Sequence, residues 1–528
     1  MALALLSARI YTGDPARPWA EAVGIENGRI AAVGTNAEVL SVLGGRVTAF
    51  ELPGRLVTPG LVDGHCHFLN YGLYLRRVDL RELPSLAACR ERIREAVRSR
   101  TPGEWIVGRG WNHHYWEEQR EPHRGDLDDL APDNPVMMVR ACGHSQWLNS
   151  RALAAAGITR GTADPPGGRI DRDPVTGEPT GMLRELRTFV ERVIPPPGLE
   201  ERCKAALLAQ QHALRLGITG AHTCERYAQW EAFAALEREG ALKVRIYHLL
   251  WPEDLDEAAA NGVRPGHGSE RLWAGHMKLY ADGSLGAGTA LLHEPYTDEP
   301  GNTGLEVLSL SGLQKKIELG YRRGYDVGIH AIGDKAVTHC LLAIAAARKS
   351  CPGGPHRDRI EHVQTYRPSD LTLFREMGIV GSVQPCFVST DWCVAEKRWG
   401  AARCRTGYAW RSLKQAGIPL LFGSDAPVEP MDPMLGLQAA VTRQTPEGLP
   451  AGGWYPDQRL TLEESLHGFT AAPAWVSRRE DRAGSIGAGR WADLTVFSQD
   501  LFRVPAGEWT SVPVEMTVVN GEVLYRRE

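Results

Sequence analysis

His65 and His67, one residue apart in GLVDGHCHF, close a short apolar run. On a strand, residues i and i+2 face the same side, so both imidazoles can converge on one ion while Cys66 points into packing. An HxH pair alone is a weak signal, because two loop histidines would look the same. Position strengthens it: His330 in GIHAIGD, His362 in RIEHVQ and Asp425 in FGSDAPV each end a short apolar segment too. Four imidazoles and a carboxylate make a donor set suited to zinc, or to manganese, iron or cobalt. One or two such ions would lower the pKa of water towards ~7 and supply hydroxide at neutral pH. Such a hydroxide can attack any of several electrophiles. Asp425 is the residue expected to take the proton of the attacking water and return it to the leaving group.

Lys278 in HMKLYADGS also ends an apolar run, where an unpaired ammonium is costly unless its pKa falls. A neutral lysine can add carbon dioxide to give a carbamate, the anionic bridge that two ions would need. Two other readings stand beside that one. Lys278 could pair with Asp282 or reach the surface, and His276, in phase two residues earlier, could be the ligand instead.

These residues need rigid supports. From about residue 217 onward, short apolar runs alternate with helical segments: GITGAHTC, KVRIYHLLW, GHMKLYADG, YDVGIHAIGD, RIEHVQ, IVGSVQP and PLLFGSDAPV. LVTPGLVDGHCHF adds an eighth. Ser311 opens a helix that Gly324 closes, and Thr461 with Glu464 forms a capping box. Eight β-then-α units predict an α/β fold, a TIM-like (β/α)8 barrel over residues 58–479, whose strand ends share one mouth. The candidate ligands fall at those ends.

About 150 residues separate the first strand, ending near Phe68, from the second, beginning near Gly217. A structureless loop of that length does not fit a compact domain. Residues 69–216 are therefore expected to form an inserted lid over the mouth, with helices in SLAACRERIREAVRSR and LEERCKAALLAQQHALRLG. The two ends, 1–57 and 480–528, read as short strands with Asn27-Gly28 and Asn520-Gly521 as type I′ hairpin turns. Neither end can bury a core alone, so both are expected to join in one composite β-sandwich domain.

With 43% apolar and 23% charged residues among 528, the chain reads as globular. Sixty Lys plus Arg against 64 Asp plus Glu leaves a net charge of -4, without the basic excess of a nucleic-acid or anionic-membrane binder. The expected partner is a small, near-neutral molecule, and a homo-oligomer is compatible with this composition. Ten scattered cysteines with no C-x-x-C pair read as reduced thiols of a cytoplasmic protein. The first six residues are apolar but lack a basic region, unlike a signal peptide. No apolar run nears the ~18 residues of a membrane span.

Several further residues could contact substrate. Trp105, Trp111, His113, His114, Tyr115 and Trp116 lie within twelve positions and could wall an apolar pocket, Trp111 foremost, or fill the lid's own core. His144 could contact substrate or cap the helix near Asn149. His222 and His248 fall near strand ends, and Asp282 could reach the site or cap its loop.

Taken together, GLVDGHCH, the strand-end His330 and His362, GSDAP and the β-strand bookends resemble the amidohydrolase superfamily. KLYADGSLG, HAIGD, RIEHVQ and the segment GRGWNHHYWEEQREPHRGDLDDLAPDNPVMMVRACGHSQWLN look like its amidohydrolase family 3 branch, which takes in N-substituted formamide deformylase and YtcJ-type proteins. The resemblance spans essentially the whole chain. It implies His65, His67 and Asp425 on one ion, His330 and His362 on another, and Lys278 as the carboxylated bridge. It also implies cleavage of an amide-type C–N bond in an N-formyl, N-acyl or cyclic amide. A deaminase, a lactonase or esterase, and a non-catalytic assembly protein are the rival readings. One departure stands out: Gly288 precedes Thr289 where the branch usually has an arginine, so any substrate contact that arginine makes is absent here.

Overall fold

The computed structural model describes residues 2–528 except Gly143 and Pro166. Eight parallel strands follow chain order in one sheet: β1 (Leu61–Cys66), β2 (Ile218–Cys224), β3 (Arg245–Leu250), β4 (Leu272–Tyr280), β5 (Asp326–Ala331), β6 (Arg359–His362), β7 (Val380–Val383) and β8 (Leu420–Phe422). These are the eight predicted runs. Every residue of β2 and β3 is buried, as a parallel sheet covered by helices requires. The sheet curls into a nearly closed barrel. β1 meets the segment after β8 through Asp425 N–H donating to His65 O at 2.7 Å and His67 N–H donating to Ala426 O at 2.8 Å. Gly64 permits the approach, since a Cβ there would lie 2.5 Å from Phe422 O.

The helix after β4 spans Leu310–Arg322 and ends before Gly324, whose φ is +81°. Its cap is Ser309, whose hydroxyl accepts from Gly312 N–H at 3.2 Å, not the expected Ser311. Thr461 and Glu464 form the reciprocal box that opens Leu462–Phe469.

Strands from both ends share a sheet. Leu56–Pro59 pairs antiparallel with Leu494–Phe497, which continues to Val514–Val519 and Glu522–Arg526. Their inward residues, among them Ile10, Ile25, Val57, Val496 and Met516, make one core. Asn27, Gly28, Asn520 and Gly521 all take positive φ, the geometry of a type I′ turn. The N-terminal stretch also holds a helix, Asn36–Leu43, that the all-strand expectation missed; Thr35 and Glu38 box its start.

By contact density the chain divides into Met1–Gly72 with Ala206–Glu528, and Leu73–Ala205. The second unit, for which two helical segments were named, is built on a six-stranded sheet running from Val78–Asp79 through Ile106–Trp111, Val136–Arg140, Ser145–Leu148 and Pro179–Arg184 to Arg169–Arg172. Leu86–Arg98, capped by Ser85, packs on it through Leu86, Cys89 and Ile93. No helix among the described residues is long and apolar enough to cross a membrane.

Candidate metal centre

The C-terminal ends of β1, β4, β5 and β6 and the segment after β8 carry the predicted ligands. His65 Nδ1 lies 2.6 Å from Glu361 Oε2, and its Nε2 lies 3.4 Å from Asp425 Oδ1. His67 repeats the pattern, with Nδ1 donating to Cys224 O at 2.8 Å and Nε2 3.4 Å from the same Asp425 oxygen. Each Nδ1 faces an acceptor, so in the neutral ring it carries the proton and Nε2 turns a lone pair towards a carboxylate. Two lone pairs and an anion repel unless the rings are charged or a cation lies between them. The 3.4 Å gaps exceed the ~2.8 Å of a charge-assisted hydrogen bond. They match the ~3.3–3.4 Å edge of a tetrahedron built on 2.0–2.1 Å bonds.

The electrostatics agree. Burial works against charge on Asp425, yet His65 and His67 hold its carboxyl well below the usual range. Burial likewise opposes charge on His65, yet Cys224 and Glu361 drive its pKa well up. The site calls for positive charge beside its carboxylates.

His362 Nδ1 donates to Gln384 Oε1 at 2.8 Å, which leaves Nε2 free. His330 is turned the other way: Nε2 donates to Gly283 O at 2.8 Å, leaving Nδ1. Burial, with Lys278 nearby, lowers His330 to about 4; burial and His330 hold His362 well below its ordinary value. Both rings are neutral donors. The His362 ring lies 4.5 Å from that of His330 and 5.0 Å from that of His65. His65, His362 and Asp425 offer ligand atoms all within 4.8 Å, so His362 joins the two sets that the sequence resemblance kept apart.

Lys278 is only 1% exposed. Among the described residues it has no ion-pair or hydrogen-bond partner, and Nζ stands 4.9 Å from the Tyr280 ring centroid. Asp282 is not its partner. That carboxylate accepts from Leu291, Ile332 and Gly333 N–H at 2.9, 3.0 and 2.8 Å, so it caps the loop and ties it to the end of β5. Nor is His276 a rival ligand. It is held between Tyr247 O–H at 2.5 Å and Arg357 O at 2.9 Å, one layer deeper in the barrel. Lys278 is thus a buried amine at the strand end with no partner among the described residues.

Local backbone aims these groups. His362, Val363 and Asp425 take φ of +74°, +43° and +60°, left-handed conformations that cost of order 1–3 kcal/mol each in a non-glycine residue. Asp63 anchors the segment after β8 by accepting from Ser424 N–H at 3.0 Å and Ser424 O–H at 2.5 Å.

The remaining candidate contact residues each have surroundings of their own. His222 sits two residues below Cys224 on β2 and accepts from Arg359 Nη1 at 3.2 Å, inside the barrel. His248 points the other way, between the rings of Trp230 and Phe233. Trp111 is sealed in the core of Leu73–Ala205 with Trp116 and Trp147, its indole N–H donated to Met138 O at 2.8 Å; it packs its own unit. His144 is a surface residue of that unit, 68% exposed and 2.9 Å from Glu185. Asn149 caps its own helix. The place beside Gly288 is taken: a Cβ there would lie 2.8 Å from Arg398 Nη1. Glu361, Gln384 and Cys224, whose Sγ is 3.9 Å from His65 Nδ1, join the site without having been expected as its ligands. A second cluster, Asp326, His356 and Asp358, is already spent on Arg478, Arg348 and Tyr321.

Comparison with known proteins gives the family. The chain is 33% identical over 526 residues to YtcJ of Bacillus subtilis, covering 98% of both. It is 27% identical over 541 residues to an N-substituted formamide deformylase of Arthrobacter pascens, covering 99% of this chain and 98% of that protein. A solved structure described as an uncharacterized metal-dependent hydrolase from Pyrococcus furiosus superposes with a TM-score of 0.79 at 31% identity, over 95% of this chain and 99% of that one. The Amidohydro_3 model matches residues 48–525, and the chain belongs to that amidohydrolase family.

Proposed function

We propose that this protein hydrolyses the C–N bond of a small N-formyl, N-acyl or cyclic amide at a divalent-metal centre. The observation that carries the reading is the convergence of His65 Nε2 and His67 Nε2 on Asp425 Oδ1 at 3.4 Å, with His362 alongside. His65, His67, His330, His362, Asp425 and a carboxylated Lys278 would hold one or two ions, zinc being well matched to nitrogen and oxygen donors. A bound ion would lower the pKa of water and polarise the substrate carbonyl.

The chain's own residues do the rest. Asp425 Oδ1 faces the two imidazoles, so Oδ2 is the atom that takes the proton of the attacking water and delivers it to the leaving nitrogen. Glu361 and the Cys224 carbonyl keep the proton of each imidazole on Nδ1. The formamide deformylase relative supports N-formyl amines as the first substrates to try.

The test is a panel of N-formylbenzylamine, N-acetyl amino acids and cyclic amides, run on metal-replete protein beside lactones, esters and amino-purines. Release of amine from at least one amide is expected. Turnover of lactones or amino-purines alone would reassign the reaction, and no turnover at all would contradict it.

A further inference from the structure

Two residues past Lys278, the last residue of β4 faces inward and has no part in the proposed chemistry so far. Tyr280 shares the Lys278 face of the strand because side chains alternate. Its ring lies 5.4 Å from the His330 ring and 5.3 Å from the Trp251 ring, and Lys278 Nζ stands 4.9 Å from its centroid. The phenol is thus held against one candidate ligand and beside the candidate bridge.

Its hydroxyl is unspent. Four other tyrosines of the barrel spend theirs within the protein: Tyr247 on His276, Tyr321 on Asp358, Tyr408 on Asp391 and Tyr296 on Ala290 O. Tyr280 O–H has no hydrogen-bond partner among the described residues, although a tyrosine in a protein interior ordinarily finds one. Nor is it sealed in: the residue is half-buried and its oxygen is not among the enclosed side-chain atoms. A rigid donor with no partner, open to the mouth and next to the ligand ring, is placed for something that arrives there.

We infer that Tyr280 is a catalytic residue whose hydroxyl donates a hydrogen bond to the substrate carbonyl oxygen as that oxygen gains charge during attack. A phenol ordinarily titrates near ~10, so at neutral pH it is a donor. It transfers no proton. The oxygen's charge returns to the carbonyl as the C–N bond breaks, and the phenol keeps its hydrogen. Such a donor acts mainly on the transition state, where one oxyanion contact is worth roughly 10²–10³ in kcat. The inference rests on the amide-hydrolysis reading above.

The experiment compares wild type and Tyr280→Phe as metal-replete full chains, on N-formylbenzylamine or the fastest amide of the panel, with bound metal per chain measured on the same samples. The expected result is a fall in kcat of about 10²–10³, with KM within about threefold and metal content unchanged. A variant as active as wild type, a rise in KM alone, or a loss that tracks lost metal would each overturn the inference. A wild type inactive on every amide would instead overturn the hydrolytic reading, and the inference with it.

Discussion

Glu361 Oε2 lies 2.6 Å from His65 Nδ1, and Arg359 grips the same carboxylate from the other side at 2.5 and 2.9 Å. All three side chains are sealed inside the barrel. Arg359 also donates to Gly64 O at 2.7 Å and Ser382 Oγ at 3.1 Å, so the chain of contacts is anchored to β1 and β7. It fixes the tautomer and plane of His65 before any ligand arrives, and outer contacts of this kind typically carry 10–100-fold in metal affinity.

Glu361→Gln should therefore weaken metal binding by about 10–100-fold in a chelator competition, with the circular dichroism of the fold retained. Glutamine keeps an acceptor for Nδ1–H but loses the charge. Alanine is the wrong probe, because an unpaired buried arginine costs about 3–5 kcal/mol. Unchanged affinity in the glutamine variant would show that the relay only packs.

Lys278→Ala should reduce the metal bound per chain and abolish turnover, and bicarbonate with a short carboxylic acid should restore part of both. Elemental analysis reads the first effect. A variant that binds as much metal as wild type would remove Lys278 from the bridge.

Asp425→Asn should keep much of its metal yet lose turnover, because an amide cannot take and return the proton. Activity near the wild-type level with metal in place would exclude Asp425 as the shuttle.

The barrel and the histidine–carboxylate cluster at its strand ends were legible because two regularities coincide: short apolar runs ended in His or Asp, and strand ends share a mouth. What lay outside that pattern was not fixed by it, for physical reasons. Glu361 and His362 are consecutive, so an ideal strand would send them to opposite faces. The left-handed φ of His362 brings both inward, and Glu361 meets His65 instead of a ligand on its own strand. The fate of Lys278 depended on what its neighbours do: only the structure shows Asp282 spent on three backbone amides and His276 on Tyr247. The sheet of Leu73–Ala205 escaped because its strands are short or broken by glycine, as in IVGRGW, while its helices carry strong periodicity.

His248 offers a pH test away from the metal centre. Burial lowers its pKa to about 4, while its ring N–H donates to Glu225 O at 3.1 Å. An unfolded histidine titrates near ~6.5. Between those values the unfolded chain binds a proton that the native chain does not, so stability is full above about pH 6.5 and falls as pH drops towards 4, by up to about 3 kcal/mol. His248→Gln keeps the donor without the titration. Urea unfolding between pH 7.5 and 4.5 should show a shallower loss for the variant, and parallel losses would contradict the assignment.

The most direct test of the metal centre is elemental analysis of the purified protein, coupled to removal and return of the ion. At least one divalent ion per chain is expected. Amide hydrolysis should vanish on chelation and return on adding zinc or a similar ion, and His65→Ala should lose both the metal and the activity. A chain that binds less than one ion after metal-replete purification, or that hydrolyses amides equally well without one, would contradict it.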